Sequence, residues 1–200
     1  MRAMAGPTPV SALLHSATLV AAGAILLIRV APLLAPNVLH AIGLVGGITT
    51  VAAGLIALAE RDLKRLLAAS TASQYGLMLI AVGAGVPLAA LLHLLAHAAI
   101  KSGLFLAAGE FQHARGGTAL ERLRGVGRVR PWTFLGFALA ALALVGAPPL
   151  SGFFSKDAVI AAALSAPNVA WLAPLALVGT LLTGAYLART LRLLWREREE

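Results

Sequence analysis

The chain has 200 residues, 60% of them hydrophobic and only 12% charged, with a mean hydropathy of +0.88 and a formal charge of +8. A soluble domain carries about a quarter charged residues, so this composition is that of a membrane protein. The absence of cysteine excludes disulfides, iron–sulfur ligation and thiolate metal sites, and basic residues that fall in short clusters without interleaved aromatics exclude a nucleic-acid-binding face.

A crossing helix needs about 20 apolar residues, and six candidate spans follow one another. The first, over 10–30, stands behind Met1, Arg2 and a Gly-Pro-Thr-Pro turn. No small-residue cleavage site follows, so this span is expected to stay in the mature chain. The second covers 38–59. The third covers 63–85, behind the charged run ERDLKR, and the fourth covers 88–112, behind Pro87. The sixth covers 169–194.

The fifth is irregular. Apolar sequence over 132–147 gives way to PPLSGFFSKD and resumes over 158–166. That is too long for one straight span and too short for two with a loop. Paired prolines remove helix hydrogen bonds and clash with the preceding turn. Broken backbone at membrane depth is tolerated where protein or a cavity covers it. The segment therefore reads as one helix broken near the bilayer middle. The expected fold is all-α, a single polytopic bundle of about six spans over 1–200.

The arginines set the orientation. Six crossings place both termini on one side, together with Arg2, Arg61, Arg65, Arg115, Arg122, Arg124, Arg128, Arg130, Arg189, Arg192, Arg196 and Arg198; the other side receives only Arg29. The positive-inside rule makes the arginine-rich side cytoplasmic in a cell inner membrane. Counting the fifth segment as two spans would destroy this asymmetry.

Lysine behaves differently. There are three, Lys64, Lys101 and Lys156, and two of them fall inside apolar sequence. In LLHLLAHAAIKSGLFLAAG, residues 91–109, His93, His97 and Lys101 recur every fourth residue. They lie within about 80° of arc and climb about 12 Å. Lys101 is too far from either end of its span to snorkel, and a charge there costs a few kcal/mol. A carboxylate, water or loss of the proton must offset that cost. Histidine changes charge near neutral pH. Three such groups in line read as a chain of proton stations rather than a stripe binding neighbouring helices.

Lys156 and Asp157 are expected at the break in the fifth helix, where freed backbone groups, a lysine and a carboxylate make a polar spot at about mid-depth. By itself Lys64 reads as an interfacial anchor. The polar run STASQYG, 70–76, fits a hydrated path and contacts to neighbouring helices equally well. His15 is a lone histidine and reads as structural. Glu110, His40, His113 and the tail WREREE read as interfacial or solvated.

Four stretches, AMAGPTPVSALLHSATLVAAG, DLKRLLAASTASQYGLM, HLLAHAAIKSGLFLAAG and PPLSGFFSKDAVI, occur in this order. Together they resemble the antiporter-like subunits of respiratory complex I, most of all the L-type or chain 5 subunit. Related subunits occur in membrane-bound hydrogenases and multisubunit cation/proton antiporters. The resemblance covers nearly the whole chain. It implies two inverted five-helix repeats, each with a half-channel. Residues 38–200 would match the second repeat and residues 1–37 the last helix of the first.

The same resemblance implies proton-translocation roles for Lys101, His97 and His93, for Lys156 with Asp157 beside it, for Lys64 of the DxKR motif, and for His15 near the junction of the half-channels. The family carries further helices before AMAGPTPV, with a glutamate–lysine pair, and more after the second repeat. The chain is thus expected to be a fragment, part of a split subunit or a shortened relative, holding half a pathway.

The expected function is that of a proton-translocating half-channel in an NADH:quinone oxidoreductase, coupled to electron transport in partner subunits. No flavin, quinone, metal or iron–sulfur motif is present, so no cofactor or redox site is expected on this chain. The expected partners are other membrane subunits of a complex I-like assembly, the lipid bilayer, and protons or sodium. Two other readings stand beside this one: a subunit of a cation/proton antiporter or membrane-bound hydrogenase, and a non-conducting structural fragment.

Overall fold

The computed structural model describes residues 19–196, so His15 lies outside the described part. Helix α1 (Leu19–Val30) runs through a short 3-10 turn into α2 (Pro36–Ala59). Then come α3 (Leu63–Gly83), α4 (Pro87–Arg115), the single turn α5 (Val126–Val129), α6 (Pro131–Val145), α7 (Ser151–Ser165) and α8 (Leu172–Trp195). Proline opens α2, α4 and α6, where its missing N–H is not needed and its fixed φ suits a first turn. Four helices, α2, α3, α4 and α8, are long and apolar enough to cross a membrane. The chain folds as a polytopic α-helical membrane bundle.

The break in the fifth segment is real but shorter than expected. Helix α6 stops at Val145, Gly146 takes the left-handed conformation at φ 98°, and a cis Pro148–Pro149 bond follows. A residue without Cβ is the usual helix terminator at such a position. Helix resumes at Ser151, not at residue 158. Only the two prolines forbid helix here; Ser, Lys and Asp do not, once their side chains have somewhere to go. Gly152 packs against the Ala143 carbonyl so closely that an added Cβ would overlap it. The first turn of α7 therefore lies beside the last turn of α6.

Helix α3 is the central element: 78% of its most apolar window is buried, against 39% for α2 and α8. Small residues bring α2 against it. A Cβ on Gly43 would stand 3.3 Å from Gly83 Cα, and one on Gly46 2.7 Å from the Gly76 carbonyl oxygen. One turn beyond the Gly46 contact, Thr50 Oγ1 donates to the Ser73 carbonyl at 3.1 Å, and Ser73 Oγ returns a bond to the Thr50 carbonyl at 2.8 Å. With lipid on the outside there is little hydrophobic force between helices, so close packing and such bonds hold the pair.

Buried apolar side chains form two clusters. One gathers the arginine-rich end: Leu63 to Leu67 of α3, Ile100 to Phe111 of α4, Phe137 to Leu144 of α6 and Tyr186 to Leu194 of α8. The other gathers the opposite end: Tyr75 to Val82, Ala89 to Leu94, Val159 to Ala163 and Leu172 to Ala176. Ser70, Gln74, His97 and Thr183 fall between the two clusters and His93, Lys101, Ser155 and Lys156 at their edges, whereas Lys64 and Thr190 lie within the arginine-end cluster. The seam between the clusters is thus a polar layer near mid-depth.

Candidate functional site

Four helices supply the polar layer. Helix α4 contributes His93, His97 and Lys101, α3 contributes Ser70 and Gln74, α7 contributes Ser155 and Lys156, and α8 contributes Thr183 and Tyr186. Burial is nearly complete: relative exposure is 2% at His93, 0% at His97 and Lys101, and 3% at Lys156. Bulk solvent therefore barely touches these groups.

His93 sits between two helices. Its Nε2 lies 3.2 Å from Gln74 Oε1 and its Nδ1 lies 3.0 Å from Ser155 Oγ. Gln74 Nε2 donates to Thr183 Oγ1 at 3.1 Å, and Thr183 Oγ1 donates to the Gly179 carbonyl at 2.8 Å. This sequence fixes directions. Gln74 presents its carbonyl to the imidazole, so His93 Nε2 carries hydrogen. In the neutral ring Nδ1 then accepts from the Ser155 hydroxyl. In the charged ring Nδ1–H donates, and Ser155 turns its hydrogen to the Gly152 carbonyl, 3.3 Å away. A hydroxyl rotor thus satisfies both protonation states.

Lys101 has comparable freedom. Its ammonium donates to the Leu67 carbonyl at 2.8 Å and to Ser70 Oγ at 2.7 Å, and Tyr186 donates to the same Ser70 oxygen at 2.8 Å. If the amine loses its proton, the Ser70 hydroxyl hydrogen can turn to it. Among the described residues no carboxylate pairs with Lys101 or with Lys156. The Lys156 ammonium reaches back from the second turn of α7 to the Val145 carbonyl at 3.4 Å, one of the orphan acceptors at the end of α6.

His97 lies between these two arrangements. Its ring centroid is 6.4 Å from that of His93 and 5.7 Å from that of Tyr75, the latter edge-on at 83°. Neither His97 nitrogen and not the Tyr75 hydroxyl has a hydrogen-bond partner among the described residues. Packing alone positions the imidazole between its neighbours.

The remaining expected residues divide. Asp157 is exposed on the outer side of α7, because adjacent helical positions differ by about 100°; it is not part of the spot where Lys156 meets the break. Lys64, at the first turn of α3, is 3% exposed, so it is held inside the bundle and is no surface anchor. Glu110 and His113 are exposed and His40 is partly so. Sequence reasoning did not single out Ser155, Thr183 or Tyr186. The run STASQYG divides by residue: Ser70 and Gln74 face the layer, Ser73 binds α2, and Thr71 bonds back to the Leu67 carbonyl at 3.0 Å.

The charged run ahead of α3 is a structural joint. Asp62 caps α3 by accepting from Arg65 N at 3.1 Å and receives the Thr118 hydroxyl at 2.5 Å. Backbone bonds Leu63 N to Thr118 O and Leu120 N to Arg61 O, both 2.8 Å, tie the α4–α5 connection to it.

Known proteins share this fold. The chain is 46% identical over 197 residues to NADH-quinone oxidoreductase subunit L of Mycobacterium tuberculosis, covering 94% of this chain and 31% of that one. It is 41% identical over 190 residues to NADH-ubiquinone oxidoreductase chain 5 of Dugong dugon, covering 94% and 32%. The chain therefore spans about a third of the length of these relatives. Among solved structures, it superposes on a chain of the membrane-bound sulfane sulfur reductase, an archaeal respiratory membrane complex, with a TM-score of 0.88 and 29% identity over 96% of this chain and 41% of that one. It superposes on the Mrp complex from Dietzia sp. DQ12-45-1b with a TM-score of 0.87 and 39% identity, over 94% of this chain and 22% of that one. Residues 1–183 match the transmembrane family of NADH:quinone oxidoreductases and Mrp antiporters, and with most of its length matched, this chain belongs to that family.

Proposed function

We propose that the chain is the proton-translocating part of an NADH:quinone oxidoreductase subunit, working as one half-channel beside other membrane subunits whose electron transfer drives it. The observation that carries this reading is the double accommodation of His93 by Gln74 and by the Ser155 rotor. A group with hydrogen-bond partners ready for both protonation states can pass a proton without leaving a buried polar atom unsatisfied. Protons step along His93, His97 and Lys101 and are handed to Lys156 at the broken helix. Lys64 serves the arginine-rich end, Asp157 the outer side of α7, and His15 the junction with a preceding half-channel. In this reading residues 38–200 form the second inverted repeat, and the arginine-rich end faces the cytoplasm across a cell inner membrane.

Proton uptake by inverted membrane vesicles tests the proposal. Lys156→Ala should abolish pumping while insertion and assembly persist; undiminished flux would overturn the assignment. The likeness to the Mrp complex favours a second reading, a cation/proton antiporter subunit. A strict sodium requirement for transport would decide for it.

A further inference from the structure

A groove of about 470 Å³ lies on the arginine-rich end, away from the polar layer, between the turn at Glu121 and Arg124 and the last turns of α8, where Ala188, Arg189, Arg192 and Leu193 line it. Three arginines and one glutamate give this lining a formal charge of +2. Glu121 is already matched, since the Arg124 guanidinium lies 2.8 Å from it with a second contact at 3.2 Å. Arg189 is partly spent on the chain itself, donating to the Leu58 and Glu60 carbonyls. Arg192 is exposed and has no partner among the described residues. Among the described residues, the groove therefore offers guanidinium hydrogens of Arg192 that no carboxylate takes up.

Below Arg192 the same face of α8 turns apolar. Val178, Leu181, Ala185, Ala188 and Arg192 follow at intervals of three and four residues, which places them on one face. All are exposed, with Leu181 at 73%. Leu181 lies beside Thr183 of the mid-depth layer, and Arg192 stands about 16 Å further along the axis. That rise is close to half of a hydrocarbon core about 30 Å thick. The two alanines leave a shallow trough between a bulky apolar residue at the bilayer centre and a cation at headgroup height.

We propose that this groove binds an anionic phospholipid, with the phosphate held by Arg192 and Arg124 and an acyl chain lying along Ala188, Ala185 and Leu181. Charge selects the occupant. A zwitterionic lipid gains less from a lining of +2, and juxtamembrane arginines attract anionic headgroups. The site is independent of the proton-transfer reading.

The test is native mass spectrometry of the full chain, purified from its own membrane with its companions and exchanged into vesicles of equimolar phosphatidylglycerol and phosphatidylcholine. The unmodified chain should retain phosphatidylglycerol selectively. Arg124→Gln with Arg192→Gln should lower that retention roughly 30-fold, and Arg192→Gln alone roughly 5-fold. The single variant alters only an exposed, unpartnered side chain and keeps the test valid if the double variant misfolds. Arg61→Gln, an exposed arginine at the same end but outside the groove, should leave retention unchanged. Equal retention of both lipids, no loss in the variants, or an equal loss in Arg61→Gln would overturn the proposal. So would displacement by inorganic phosphate, which would make the groove a site for the free ion, or a polypeptide crosslinked at Arg192 in place of lipid.

Discussion

Ser155 Oγ stands 3.0 Å from His93 Nδ1 and 3.3 Å from the Gly152 carbonyl oxygen, so one hydroxyl links the imidazole of α4 to the broken helix. Its rotation can follow a change in the charge of His93 without moving the backbone. Ser155→Ala removes the rotor and leaves Nδ1 alone in a dry site, a loss of about 1–3 kcal/mol. Proton uptake by inverted vesicles should fall about 10- to 100-fold, and Ser155→Thr, which keeps the hydroxyl, should recover most of it. An uptake rate in Ser155→Ala equal to that of the unmodified chain would remove the rotor from the pathway.

Lys101→Met separates stability from transport. The ammonium is fully buried and meets only neutral oxygens. Replacing an uncompensated buried charge by an apolar side chain of similar length should be neutral or stabilising by about 1–4 kcal/mol. The thermal midpoint in detergent should hold or rise while proton uptake is lost. A lower midpoint with uptake retained would show that Lys101 is structural.

Gly152→Ala addresses the break itself. The added methyl would be driven into the Ala143 carbonyl, and overpacking of this kind costs about 1–3 kcal/mol. The thermal midpoint should drop, and transport should drop with it because α7 carries both Ser155 and Lys156. Ala147→Gly, in the connection just after Gly146, is the companion change and should cost much less stability.

Asp62→Ala should loosen the joint at the start of α3. It removes an N-cap together with the bond from Thr118, about 1–2 kcal/mol for the cap alone. Limited proteolysis should then cut faster within residues 116–125, and Asp62→Asn should restore most of the resistance. No change in the cutting rate would mean that the backbone bonds to Thr118 and Leu120 hold the connection unaided.

The helices were legible because a membrane demands long apolar runs: α2, α3, α4 and α8 lie within a few residues of where hydropathy puts them. The break was legible as two prolines. Its far edge was not, because SGFFSKD reads as polar loop until Gly152 is seen against α6. The candidate stations on α4 were legible from their spacing of four. Their partners were not. Ser155, Thr183 and Tyr186 meet residues 62, 109 and 116 positions away, and no local pattern marks a single hydroxyl as the one that faces a histidine. The expected place of Asp157 beside Lys156 failed for a related reason. Adjacency in sequence suggested one polar spot, whereas a helix turns neighbours to different sides.

The two apolar clusters that bracket the polar layer have an electrical meaning. Leu66, Leu67, Leu104 and Phe105 on one side, and Met78, Ile80, Ala90 and Leu172 on the other, are all fully buried. In the proposed reading they act as insulation in series with a short conducting section. A bundle with hydrogen-bonding groups through its whole depth would short-circuit any gradient that its assembly built. On that reading a proton held in the layer meets mostly buried apolar side chains toward both faces, which opposes leakage at rest. On the same reading, current would flow only when a rearrangement wets one side at a time, and an idle copy of this chain would leave the membrane charged.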